Sequence, residues 1–225
     1  MRFFRFHDRM NYHTKAVTFM IAVLDYGAGN LQSVVKAFRY LGSEISIVTS
    51  PDELAGADAA VLPGVGAFGD SMRSLNRSGM VGPTLDFIRS GRPFLGICLG
   101  LQLLFEESEE SPGVKGLGVL PGKICRIPAA SGLKIPHVGW NSLNLKRSGG
   151  LFAGVGKNPY VYFVHSYYLN SGDPGIVTAT ADYGVEMDVA VQSGNLFAAQ
   201  FHPEKSGAVG LKILRNFTSM LESGG

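Results

Sequence analysis

The residues equipped for covalent chemistry converge on one cysteine. Cys98 stands in Gly96-Ile97-Cys98-Leu99-Gly100, after the apolar run Pro93-Phe94-Leu95 and before Leu101-Gln102-Leu103-Leu104-Phe105-Glu106. That order reads as strand, sharp turn, helix. Glycines on both sides permit a strained turn and leave room around the sulfur. A side chain at such a turn projects above the sheet edge at a helix N-terminus, where free N–H groups and the helix dipole favour a thiolate. It is the elbow of hydrolase nucleophiles, with Cys in place of Ser. For so short a string, a buried structural cysteine is the alternative.

A thiolate nucleophile needs a base, and the base needs an orienting group. Of the five histidines, His7 and His13 lie near the N-terminus; His137, His165 and His202 remain. His202 stands in Phe201-His202-Pro203-Glu204-Lys205-Ser206, at the end of the apolar run 196–201. Pro203 stops the strand. Glu204, two residues on, shares a side with His202 in an extended segment. A carboxylate there can hold the imidazole's far nitrogen and fix its tautomer. The plainer alternative is a loop whose polar groups satisfy only the backbone. Gln102 falls one helical turn beyond Cys98 on the same face; otherwise it is an ordinary surface residue.

The elements that must position these groups follow from apolar periodicity. Val17 to Leu24 is continuously apolar apart from Thr18, the mark of a strand buried on both faces. It runs into the glycine loop Asp25-Tyr26-Gly27-Ala28-Gly29-Asn30, with Asn30 as a helix N-cap. Leu31 to Leu41 reads as an amphipathic helix, 44–48 as a strand and Ser50-Pro51-Asp52-Glu53 as a helix start. Ala59 to Leu62 is a third strand ending at Pro63-Gly64-Val65-Gly66, and 69–89 is helical with a break near Gly82-Pro83. Alternating strand and helix predict a parallel sheet with helices on both faces and right-handed crossovers. Ligands then sit beyond the carboxyl ends of the strands, so the loops 25–30, 63–68 and the Cys98 turn are expected to line one crevice. The second half reads as strands near 123–127, 135–138, 160–164, 176–179, 185–191 and 196–201, an antiparallel or mixed extension of the sheet. A helix over 208–221 closes the chain.

Bulk properties set limits. The 225 residues, 45% hydrophobic and 17% charged, suit one large α/β domain. A net charge of +2 predicts neither a nucleic-acid binder nor an acidic tail. No run reaches the length of a membrane span, so no membrane is expected. Cys98 and Cys125 lack histidines at ligand spacing, so no metal is expected, and both are expected to be reduced in a cytoplasmic protein. Residues 1–16 carry Arg2, Arg5, Arg9 and Lys15 against Asp8, without serine. They read as an extension, poorly ordered or the product of a misplaced start, with one domain over 17–225.

The cysteine elbow with Gln102, followed by a late His-Pro-Glu, resembles the class I (triad) glutamine amidotransferases from about Val17 to Leu221. That resemblance implies a flavodoxin-like α/β fold and assigns the triad to Cys98, His202 and Glu204. Within the family, the segments 25–30, Pro63-Gly64-Val65-Gly66-Ala67-Phe68, His137-Val138-Gly139-Trp140-Asn141, Tyr162-Phe163-Val164-His165-Ser166-Tyr167-Tyr168 and 202–206 look like the glutaminase subunits of imidazole glycerol phosphate synthases.

The resemblance implies hydrolysis of L-glutamine to glutamate and ammonia through a glutamyl thioester, without a cofactor. The ammonia would pass to a separate (β/α)8-barrel cyclase in a heterodimer, which makes imidazole glycerol phosphate and aminoimidazole carboxamide ribotide in histidine biosynthesis. Attack on an amide needs N–H donors for the oxyanion; the expected ones are the backbone of Leu99 and of Gly64 and Val65. Gly66, Gln102, Ser166 and Tyr167 are expected to bind glutamine. Tyr26, Asn30, Trp140, Tyr162 and Lys205 are expected to meet the partner, since aromatic residues at a site mouth commonly anchor interfaces. His165 reads as structural or as part of the partner surface, and Cys125 as a small buried apolar residue. The alternatives are another class I amidotransferase, a γ-glutamyl hydrolase-like or DJ-1/PfpI-like cysteine hydrolase, or a binding module with a structural or redox cysteine.

Overall fold

The computed structural model describes residues 19–27, 31–129 and 132–222. Residues 1–16 and Asn30 therefore lie outside the described residues. The first half alternates as the apolar pattern demands: β1 (Met20–Leu24), α1 (Leu31–Tyr40), β2 (Glu44–Val48), α2 (Pro51–Ala55), β3 (Ala59–Gly64), α3 (Phe68–Arg77), α4 (Val81–Arg89), β4 (Phe94–Cys98) and α5 (Leu99–Leu103). The second half supplies β5 (Glu107–Ser108), β6 (Gly122–Arg126), β7 (His137–Ser142), β8 (Asn144–Leu145), β9 (Tyr160–His165), β10 (Tyr167–Ser171), β11 (Val177–Asp182), β12 (Glu186–Ser193), β13 (Leu196–Ala199) and α6 (Gly207–Glu222).

The main sheet runs β2-β1-β3-β4-β13-β12-β10-β6-β5. From β2 to β13 every pairing is parallel; β12, β10 and β6 continue it antiparallel. Strands β3 and β4 are buried throughout because helices cover both faces. Alternate residues of β1 feed two cores. Ile21 and Val23 join Phe38 of α1 and Phe217 of α6, whose rings meet edge to face at 6.2 Å. Ala22 and Leu24 join Phe68, Leu75 and Phe87 from α3 and α4 on the other side. Strands β7 and β9 form a separate antiparallel ribbon.

The structure departs from the sequence reading at several places: the strand expected at 135–138 runs over His137–Ser142, and β5 and β8 are short additions. The break in the helical region falls at 78–80, where Gly79 takes φ +71°, not at Gly82-Pro83. Pro83 instead sits in the first turn of α4, where its missing N–H breaks no helical bond. The strand expected at 160–164 is β9, and an unexpected strand, β10, follows it. Strand β9 belongs to the ribbon and β10 to the main sheet, so Ser166 is the crossing point between them.

Candidate active site

Sheet register assembles the centre. Gly64 pairs with Cys98 across β3 and β4, and Ala199 pairs with Ile97 across β13 and β4, which brings Gln200 level with the sulfur. Cys98 takes φ 55°, ψ −110°, a strained turn for a residue with a side chain. The flanking glycines are required by close packing. A Cβ on Gly96 would stand 2.9 Å from the carbonyl oxygen of Gly100, and one on Gly100 would run into the carbonyl oxygen of Leu62. Helix α5 can therefore lie against β3 only with glycine there.

His202 stands just beyond the carboxyl end of β13. Its N–H donates to the Tyr162 carbonyl at 2.9 Å. The Ser206 hydroxyl donates to the His202 carbonyl at 2.6 Å and accepts from the Tyr162 N–H at 3.0 Å, clamping the turn to β9. Glu204 reaches the imidazole through a 3-10 turn over Pro203–Lys205 rather than along an extended strand. Its Oε1 is 2.8 Å from His202 Nδ1. The opposite nitrogen, Nε2, is buried and has no hydrogen-bond partner, and Cys98 and Glu204 are the two groups that act on the ring. Burial works against the imidazolium, but Cys98 and Glu204 outweigh it and raise His202 to about 9. A cysteine, an imidazole and a buried carboxylate thus form one coupled unit, able to attack a carbonyl and protonate a leaving group.

A cavity of about 380 Å³ opens above it, lined by Val65, Gly66, Cys98, Leu99, Gln102, Ser166, Tyr167 and His202 among others. Gly64 lies just behind, packed so closely that a Cβ would meet the Tyr26 hydroxyl at 2.6 Å. Gln102 is buried, not a surface residue, and its Nε2 donates to the Tyr167 carbonyl at 3.1 Å and to Gln200 Oε1 at 2.9 Å. The described part of the 25–30 loop does not line the cavity. Tyr26 is 3% exposed, and its hydroxyl donates to the Pro63 carbonyl at 3.1 Å. Its expected place on a docking surface is therefore corrected: its phenol is buried in the core and holds the end of β3.

Two polar side chains at the site, Glu110 and Gln200, escaped the sequence reading. Glu110 lines the cavity while its Oε2 accepts from the Phe68 N–H at 2.7 Å, at the start of α3. In sequence it is one acid in a run of them. Gln200 is fully buried beside Cys98. The β13–β4 register is the signal that finds it, and no local motif carries that register. His165, which also lines the cavity, bonds His137 Nδ1 through its Nε2 at 3.0 Å and the Tyr167 carbonyl through its Nδ1 at 2.8 Å.

The class-I glutamine amidotransferase family model matches residues 22–220. The chain belongs to the class-I glutamine amidotransferase family. It is 50% identical over 204 residues to the imidazole glycerol phosphate synthase subunit HisH of Methanothermobacter thermautotrophicus, covering 91% of this chain and all of that one. The subunit of the same name from Moorella thermoacetica is 48% identical over 205 residues, 91% of this chain and 97% of that one. Among solved structures, PurLQS from Thermotoga maritima superposes with a TM-score of 0.71 at 21% identity, covering 91% of this chain and 99% of that one. That likeness confirms the fold: a mostly parallel α/β sheet with an antiparallel extension.

Beside the cavity this amidotransferase carries an apolar outer face on the β7–β9 ribbon. Side chains alternate: His137, Val161, Phe163 and His165 point inward, while Val138, Trp140, Tyr160 and Val164 are exposed. Trp140, 55% exposed, meets Tyr162 edge to face at 6.2 Å. Lys205 is exposed at the end of the turn that carries Glu204. Of the residues expected at a partner surface, Trp140, Tyr162 and Lys205 are thus at or near the surface. Asn30 is outside the described residues.

Proposed function

We propose that Cys98, His202 and Glu204 hydrolyse the side-chain amide of L-glutamine in the 380 Å³ cavity. The chain is a glutaminase subunit of imidazole glycerol phosphate synthase, of the histidine-biosynthetic kind, in keeping with relatives about half identical over nearly their whole length. The observation that carries the chemistry is the buried unit in which Glu204 holds Nδ1 of His202, leaving Nε2 unpartnered, with Cys98 and His202 lining the same cavity.

The Cys98 thiolate attacks the carboxamide carbon, and the oxygen becomes an anion. The backbone N–H groups of Leu99 and of the Gly64-Val65 segment are its donors. The His202 imidazolium gives its Nε2 proton to the departing nitrogen, and ammonia leaves behind a glutamyl thioester. Neutral His202 then takes a proton from water, the hydroxide attacks the thioester carbon, and glutamate and the free thiol are released. Gly66, Gln102, Ser166 and Tyr167 border the amino-acid end of the substrate. The carboxylate of Glu110 suits its ammonium group.

Ammonia set free in water would protonate and be lost. A barrel-shaped cyclase docked on the ribbon face of Val138, Trp140 and Val164 would receive it, since Val164 both lines the cavity and is exposed on that face. Val65 is 43% exposed, and open space surrounds Gly66 at φ +99°. The segment after β3 therefore has room to turn its N–H inward only when the partner and its ligand bind. The two free cysteines suit a cytoplasmic setting, and no helix among the described residues is long and apolar enough to cross a membrane.

The test pairs the chain with a cyclase from its own cell. Cys98→Ala should abolish glutamine-dependent synthesis of imidazole glycerol phosphate and leave synthesis from added ammonium salt intact. Loss of both, or of neither, contradicts the assignment. Equal glutamine turnover with and without the cyclase would sink the gating.

A further inference from the structure

We propose that Gln200 is a further catalytic residue of this site, whose side-chain amide donates a hydrogen bond to the Cys98 sulfur and stabilises the nucleophile's negative charge. Gln200 Nε2 stands 3.7 Å from Cys98 Sγ, within reach of a bond to sulfur. The residue has no solvent exposure, so its amide must find its partners inside the protein.

The polarity of that amide is forced from outside the site. The Tyr167 carbonyl can only accept, so the Gln102 atom at 3.1 Å from it must be nitrogen. That same nitrogen lies 2.9 Å from one end of the Gln200 amide, which must therefore be oxygen. The other end of Gln200, facing the sulfur, is then the N–H₂ group. His165 Nδ1 lies 2.8 Å from the same Tyr167 carbonyl and holds it in place. A row of fixed dipoles thus runs from the end of β9 through α5 to the nucleophile, with a donor at its last position. Such a donor favours a thiolate over a thiol. Gln102 accordingly has a task besides bordering the substrate: it points Gln200.

The assignment rests on Cys98 being the nucleophile, and the experiment separates the two. Iodoacetamide alkylation of Cys98 near neutral pH is followed by peptide mass spectrometry, with Cys125 scored apart. In Gln200→Met, which keeps length but removes the donor, the alkylation rate of Cys98 should fall roughly three- to ten-fold, the range expected on losing one hydrogen bond of ordinary net strength. The kcat for glutamine should fall with it while KM changes little. Gln102→Met, which leaves Gln200 in place but unguided, should slow alkylation in the same direction and serves if Gln200→Met does not fold. Unchanged alkylation in a folded variant overturns the role of Gln200 alone. Full glutaminase activity after Cys98 of the unmutated protein is alkylated overturns both readings.

Discussion

His202 Nδ1 lies 2.8 Å from Glu204 Oε1, and the two side chains keep only 4% and 3% of their surface in contact with water. The pairing leaves Nε2 as the nitrogen that works on Cys98, and it helps raise His202 to about 9 against the cost of burial. The imidazolium is the form that protonates departing ammonia. Glutamine hydrolysis should therefore decline as pH rises through about 9. Glu204→Gln keeps the shape but removes the charge. It should lower kcat roughly a hundred-fold or more and move the alkaline limb to lower pH, as read from kcat profiles of the two proteins. A limb that stays in place would show that Glu204 does not set the charge of His202.

The buried histidines act on stability with opposite signs. His202 binds its proton more tightly folded than unfolded, so its contribution is complete below about pH 6.5 and is lost as pH rises through about 9. Burial pushes His137 and His165 down to about 4. Their neutral forms suit the fold, so stability is lost as pH falls from about 6.5 towards 4, where the unfolded chain takes up protons that the folded one refuses. Urea unfolding across pH should show both limbs in the unmutated protein. His202→Asn should remove the alkaline limb and leave the acid one.

The elbow tolerates no side chain at Gly100, because a Cβ there would run into the Leu62 carbonyl. Gly100→Ala should cost about 3 kcal/mol, as overpacking between backbones does. It should also displace Cys98, so that glutaminase activity is lost even where the variant is folded. Thermal unfolding and activity measured on one preparation decide this.

The aromatic residues near the site divide by burial. Trp140→Ala removes an exposed ring of the ribbon face and should weaken cyclase binding by about 2 kcal/mol, roughly thirty-fold in Kd, without changing the stability of the isolated chain. Tyr26→Phe leaves the Pro63 carbonyl without its donor. It should cost about 1 kcal/mol of stability and leave the affinity for the cyclase unaltered. Calorimetric titration and unfolding curves separate the two.

This division shows what the sequence could and could not reveal. The parallel half was legible because strands such as β3 and β4 are apolar throughout, and the triad was legible because its members sit in short motifs at strand ends. Tyr26 was misplaced because residue type does not say which side of a loop a phenol takes; the close approach of Gly64 pulls it inward. Gln200 and Glu110 were missed because their roles depend on contacts across the fold. Gln200 gains its neighbour from β13–β4 register, and Glu110 from the start of α3, 42 residues away in sequence. Ser166 was recognised, but its position at the crossing from ribbon to sheet follows from the division between β9 and β10, which apolar periodicity alone does not mark.

Attack of Cys98 on the amide of glutamine in this cavity can be read from labelling with a glutamine-like chloroketone followed by peptide mass spectrometry. One adduct per chain is expected, on Cys98, formed in step with loss of glutaminase activity and blocked by excess glutamine. An adduct on Cys125, or Cys98 labelling that glutamine does not slow, would contradict it.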